Sequence, residues 1–152
     1  RVLTCKIIDS KLVYSDSPIE CVIKTKCNNG VVPMVTMGNL RITPYHPIIQ
    51  IANLNAANNW IFPCMINQEI KVECESMYTF VVENRESMFV EGSIFATYGH
   101  NLTGDIIQHD YFGTDEVIND LKNFPTYEEG IVELTQDKFV VDVDKNRVVG
   151  IR

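Results

Sequence analysis

Apolar and polar positions alternate along much of this chain, the period expected of strands with one face buried and one in water. Residues 19–26, Ile-Glu-Cys-Val-Ile-Lys-Thr-Lys, follow it, and Cys27-Asn28-Asn29-Gly30 then supplies turn chemistry. The pattern predicts a β-hairpin with residues 31–37 as the return strand. Pro33 lies in that strand and cannot donate to a ladder, which predicts an edge or irregular position. Gly38-Asn39 turns the chain into residues 40–43. Residues 2–8 read as a strand, and further short strands are predicted at 48–51, 60–62, 69–73, 77–83, 87–90 and 93–98. Residues 53–59, rich in Asn, read as a loop tip.

The period changes once. Thr114 or Asp115 can cap a helix over about residues 115–124, where Val117, Ile118, Leu121 and Phe124 share one face and Pro125 stops it. Strands are predicted again at 131–134, 138–143 and 147–151, the last two joined by Asp144-Lys145-Asn146 as a hairpin. The fold class is mainly β, with one short helix in the C-terminal part. The division is a β core over residues 1–101 and a helix-plus-strand extension over 102–152. The extension is too small to bury a separate core, so it is expected to pack on the first part.

Charge sharpens that division. Of 152 residues, 13 are Lys or Arg and 20 are Asp or Glu, a net charge of −7. Residues 1–101 hold 8 basic and 9 acidic side chains and residues 102–152 hold 5 and 11, so the extension carries −6 of the total. An acidic chain has little with which to displace counterions from a phosphate backbone, and nucleic acid is not an expected partner. No apolar run has bilayer length, and a membrane is not expected either. The five cysteines, at 5, 21, 27, 64 and 74, form no Cys-x-x-Cys, and the histidines form no His-x-x-x-His. They read as free thiols in a reducing, intracellular and cytoplasmic setting, with no metal and no cofactor.

Three histidines, His46, His100 and His109, are available as proton carriers near neutral pH. His46 lies in Leu40-Arg41-Ile42-Thr43-Pro44-Tyr45-His46-Pro47, where two prolines keep the backbone out of helix and set a hydroxyl and an imidazole three residues apart. Such a loop can bracket one amide, the hydroxyl orienting it and the imidazole protonating its nitrogen as it leaves. Spacing alone favours the plainer reading, a turn histidine with no role. His100-Asn101 follows a predicted strand end, and Asn can attack its own carbonyl to close a succinimide. An ordinary left-handed turn at a strand end, which Gly-x-Asn also suits, is the reading these residues favour by themselves. His109, ahead of the helix, reads as structural or surface.

Taken in order, these segments resemble the hedgehog/intein (Hint) fold, and within it the Vint branch that is associated with von Willebrand A domains. Residues 20–25 and 40–48 are similar to the second intein block with its Thr-x-x-His, Trp60-Ile61-Phe62-Pro63 to the segment after it, residues 78–92 to the penultimate block, and residues 96–101 to the terminal His-Asn block. Residues 109–130 are similar to the extension beyond the Hint core of Vint domains. The resemblance implies single-turnover self-processing. A Cys at the start of the domain attacks the preceding carbonyl, and an N-to-S acyl shift gives a thioester that a second nucleophile resolves. It assigns Thr43 and His46 to the scissile amide, His100 and Asn101 to the second end, and Glu86 as an orienting residue where the family has His or Asp.

The sequence departs from that pattern in ways that limit it. The opening block with its nucleophilic Cys is expected upstream of Arg1, and Cys5, inside a strand, reads as core. Without that upstream Cys no thioester forms. Leu102 follows Asn101 where splicing inteins have Cys, Ser or Thr, so splicing is not expected. The implied partners are the upstream Cys-bearing segment and flanking domains of the same precursor, a von Willebrand A domain among them. The alternative is a degenerate, non-catalytic Hint scaffold serving as an interaction module beside such a domain.

Overall fold

The computed structural model describes residues 1–53 and 60–152. The chain opens with an antiparallel hairpin, β1 (Val2–Ile8) and β2 (Lys11–Ser17), joined by Asp9-Ser10 with φ of 50° and 63°. Positive φ at both turn positions matches the twist of the flanking strands. The sequence pattern finds only β1 of this pair. Asp-Ser lacks the glycine that usually marks such a turn, and β2 has only Leu12, Val13 and Tyr14 as apolar residues.

Next come β3 (Ile19–Lys26) and β4 (Val31–Met37), with the predicted bounds but not the predicted pairing. The expected hairpin between them does not form. Asn29 and Gly30 take positive φ in a single 3₁₀ turn, which sends the chain into a different sheet. β4 forms its hairpin with β5 (Leu40–Ile42) instead, across Gly38-Asn39. Then follow β6 (Ile48–Gln50), β7 (Ile70–Glu73), β8 (Ser76–Val82), β9 (Ser87–Val90) and β10 (Ser93–Phe95). The strand expected at 60–62 is reduced to one bridge, Ile48 with Ile61. The loop tip expected at residues 53–59 lies, from residue 54 on, outside the described residues.

Three sheets form around these strands. One has the order β2-β1-β9-β10-β6, and another β5-β4-β7. Pro33 pairs with Lys71 on β7, while β5 begins its pairing only at Val35, so the proline sits where β4 is effectively an edge. In the third sheet β3 is central, antiparallel to β8 and parallel to β11 (Ile131–Leu134). Between β10 and β11 runs α1 (Asp115–Leu121), capped by the Thr114 hydroxyl, which accepts from the Glu116 N–H at 3.3 Å. The chain closes on the hairpin β12 (Phe139–Asp142) and β13 (Arg147–Ile151).

The two parts of the chain share their largest core. Cys21, Ile23 and Val81 from β3 and β8 pack with Tyr111, Val117, Ile118, Leu121, Tyr127, Val132, Leu134 and Ile151. Residues after Asn101 therefore supply most of that core as well as a strand of its sheet. Two half-buried polar ties reinforce it. The Tyr127 hydroxyl and the Arg85 guanidinium both donate to Glu20, and Asp120 accepts from the Tyr111 hydroxyl at 2.8 Å and the Ile151 N–H at 3.2 Å.

Candidate functional site

Thr43 follows the last residue of β5, and Pro44, with its fixed φ, occupies the second position of a turn. The turn closes through a bond from the His46 N–H to the Thr43 carbonyl at 3.3 Å. Pro44 is buried beneath it, and its carbonyl accepts from the Cys64 N–H at 3.2 Å. The turn is thus fastened from inside, while Thr43 and His46 remain half-buried.

His46 reaches from this turn to the end of β10. Its Nε2 lies 2.8 Å from the Ala96 carbonyl, and the Ala96 N–H donates to the Pro47 carbonyl at 3.1 Å. A carbonyl only accepts, so Nε2 carries the proton and Nδ1 holds the free lone pair. Burial lowers the His46 pKa, with the Ala96 bond acting in the other direction. The ring stands edge-on to Phe95, centroids 6.1 Å apart.

Four residues beyond Ala96 is His100. Its Nδ1 accepts from the Leu102 N–H at 2.9 Å, which leaves the proton on Nε2. Burial, then the nearby His109 and His46, push its pKa down to about 4, so the ring is neutral at pH 7. His46 and His100, fifty-four positions apart, are therefore within electrostatic reach of each other. His109 completes the group. Its Nδ1 accepts from the Tyr111 and Phe112 N–H groups at 3.1 and 3.0 Å. That capping role fits a structural histidine, but sequence spacing carries no signal of its nearness to His100. No cluster of His, Cys, Asp and Glu suited to a metal occurs among the described residues.

The loop that precedes the helix holds the His-Asn turn. The Gly99 N–H donates to the Phe112 carbonyl at 2.9 Å and the Asn101 N–H to the Gly113 carbonyl at 2.7 Å. Asn101 has φ of 56°, and its amide nitrogen donates to Asp115 Oδ1 at 3.1 Å and to the Gly99 carbonyl at 3.3 Å. Its side chain thus anchors a left-handed turn. Gly113 is required here: a Cβ on it would stand 2.8 Å from the His109 carbonyl oxygen and 2.9 Å from His100 Cε1.

Glu86 is occupied elsewhere. Its Oε2 accepts from the Ser15 hydroxyl at 2.7 Å, the Thr4 hydroxyl at 3.1 Å and the Asn84 amide at 3.2 Å, and Oε1 lies 3.5 Å from Lys6 Nζ. Burial works to raise its pKa, but the Ser15 and Thr4 bonds and Lys6 outweigh burial and hold it below the usual carboxylate range. None of these contacts is to a histidine. Its link to the site runs through backbone, the Thr97 hydroxyl donating to the Glu86 carbonyl at 3.0 Å, one residue from Ala96. Cys5 is fully buried on β1 with Ile49 and Ile94, and burial and Glu86 push its thiol up to about 11. That is a core position and not a nucleophile's.

The arrangement offers a lone pair at His46 Nδ1, a proton at His100 Nε2 and a hydroxyl at Thr43, all on neutral groups. Compared with known families, residues 5–150 match the family described as Vint, a Hint-domain. No curated protein matches the chain.

Proposed function

We propose, from the premise that this chain belongs to the Vint family of Hint domains, that it is a single-turnover self-processing unit breaking one peptide bond with a cysteine supplied ahead of Arg1. The observation that carries this reading is the bond from His46 Nε2 to the Ala96 carbonyl at 2.8 Å. It leaves Nδ1 as a base on a rigid turn beside Thr43. In the proposed step the cysteine sulfur attacks the carbonyl carbon of the residue before it. The thiol proton passes to His46 Nδ1 and on to the departing amide nitrogen, the C–N bond breaks, and a thioester stands in its place. Thr43 orients the amide through its hydroxyl. His100, neutral and carrying its proton on Nε2, supports charge on oxygen when water or another nucleophile resolves the thioester. Most of the gain is geometric, since one turn and one strand end hold both groups without ordering cost at the moment of reaction.

The proposed partners are segments of the same precursor, the cysteine-bearing stretch and a neighbouring domain of the von Willebrand A type. A second reading, a scaffold without chemistry, is favoured by one observation: the Asn101 amide is spent on Asp115 and Gly99. The test is expression with a cysteine-bearing segment ahead of residue 1, with cleavage followed on gels with and without hydroxylamine. Cleavage that His46→Ala abolishes supports processing. An intact chain under every condition supports the scaffold.

A further inference from the structure

β3 ends at Lys26 and β8 starts at Ser76, and those two residues are paired in register. The described residues between them make an excursion from the central sheet and carry β4 to β7 together with Thr43 and His46. Cys27 and Cys74 stand at its neck. The Cys27 N–H donates to the Glu75 carbonyl at 2.9 Å, and the Cys74 N–H to the Gly30 carbonyl at 2.8 Å, so the two backbones are clamped side by side. Their side chains share one small cluster with Val32, Met34, Val72 and Met77. The Cys74 thiol donates to the Ser76 carbonyl at 3.2 Å, and its nearness helps to raise the Cys27 pKa.

We propose that Cys27 and Cys74 are a reversible modification site, closing as an intrachain disulfide that staples the neck of the excursion bearing Thr43 and His46. Two thiols that share one cluster between clamped backbones are placed to close to the S–S distance of about 2.05 Å through their side chains. The oxidant is a small-molecule disulfide of the glutathione type. Cys74 is half-buried while Cys27 is 4% exposed, which sets the order of events. The Cys74 thiolate attacks one sulfur of the oxidant and expels one thiol. Cys27 then gives up its proton and displaces the second. One S–S bond forms in the protein, one breaks in the oxidant, and two electrons and two protons pass to give two small thiols. Burial and the Cys74 contact push the Cys27 thiol up to about 11, so the second displacement is the slow one. The remaining cysteines offer no competing pair of this kind: Cys5 and Cys21 are buried in separate clusters, and Cys64 packs with Val35, Ile42 and Ile48.

This inference is independent of the processing chemistry. The test treats the folded chain with glutathione disulfide, alkylates free thiols and digests with trypsin without reductant. Cleavage at Lys26, Arg41, Lys71 and Arg85 places Cys27, Cys64 and Cys74 on different peptides. The expected result is a Cys27–Cys74 linked peptide at least tenfold above any other pair, and a melting temperature several degrees above that of the reduced chain. Cys27→Ser and Cys74→Ser each remove both effects, the half-buried Cys74 being the variant that tolerates change. His46→Ala gives the same linkage as wild type. A chain that stays fully alkylatable, halts as the Cys74 mixed disulfide, or pairs through Cys64 overturns the proposal.

Discussion

His46 and Ala96 are fifty positions apart and joined by one bond, imidazole Nε2 to carbonyl oxygen at 2.8 Å. That contact ties the Thr43–His46 turn to the strand end leading into His100, and it decides which imidazole nitrogen is free. The expected consequence is direct. With a cysteine-bearing segment ahead of residue 1, His46→Ala lowers the rate of cleavage by roughly 10²–10⁴-fold, the usual worth of a positioned acid–base group. Single-turnover cleavage followed on gels measures it. Because burial keeps His46 neutral, the wild-type rate stays level around neutral pH and falls only below the ordinary histidine pKa of 6.5.

His100 sets a pH dependence of stability. Its pKa is about 4 in the folded chain against 6.5 for an unperturbed histidine. The unfolded chain therefore binds the extra proton first, and stability falls as pH drops from about 6.5 to about 4 and is level above that window. After allowance for the ring's partial contact with water, the loss is on the order of 2 kcal/mol. Urea denaturation at successive pH values measures it, and His100→Gln flattens the slope.

Gly113→Ala is expected to destabilise the fold by about 2 kcal/mol, because the nearest obstacle to the new methyl is the His109 backbone and not a movable side-chain tip. The same methyl displaces the His100 ring. Thermal melting reports the first effect, and the chemical shift of the His100 Cε1 proton reports the second.

Glu86→Gln keeps the shape of the side chain and loses its charge toward Ser15, Thr4 and Lys6. A folded pKa below the usual range means that the charged form stabilises above about pH 4.5 and that this contribution is lost as pH falls through the folded value. The variant is expected to be less stable by about 1–2 kcal/mol at pH 7 and to converge on wild type in acid. Cleavage by the variant changes far less than cleavage by His46→Ala, since the carboxylate touches no histidine.

A chain truncated after Asn101 is expected to be unfolded by circular dichroism and by limited proteolysis. Of the eleven buried residues in the largest core, eight lie beyond that point, and β3 loses its parallel partner β11.

Much of the fold is legible in local pattern. β1, β3, β9, β11, β13 and a helix start capped by Thr114 or Asp115 follow from alternation, capping chemistry and turn residues, because each depends on neighbours within a few positions, and the structure makes Thr114 the cap. What those rules do not contain is pairing. Asn28-Asn29-Gly30 looks like a hairpin turn between β3 and β4, yet β3 buries both edges against β8 and β11, and a turn has no means of reporting partners fifty or a hundred positions away.

The candidate site divides the same way. The amino-acid sequence by itself determined which groups were available: one Thr-x-x-His turn stiffened by two prolines, one His-Asn turn, and an acidic extension with a single amphipathic helix. Only the tertiary structure decided how they are used. It set His46 on the Ala96 carbonyl, spent the Asn101 amide on Asp115, turned the Glu86 carboxylate toward Ser15 and Thr4, and made the extension part of the core. The reason is physical. Residue type fixes what a group can donate, accept or titrate, whereas burial, tautomer and partner depend on atoms that folding brings from distant parts of the chain.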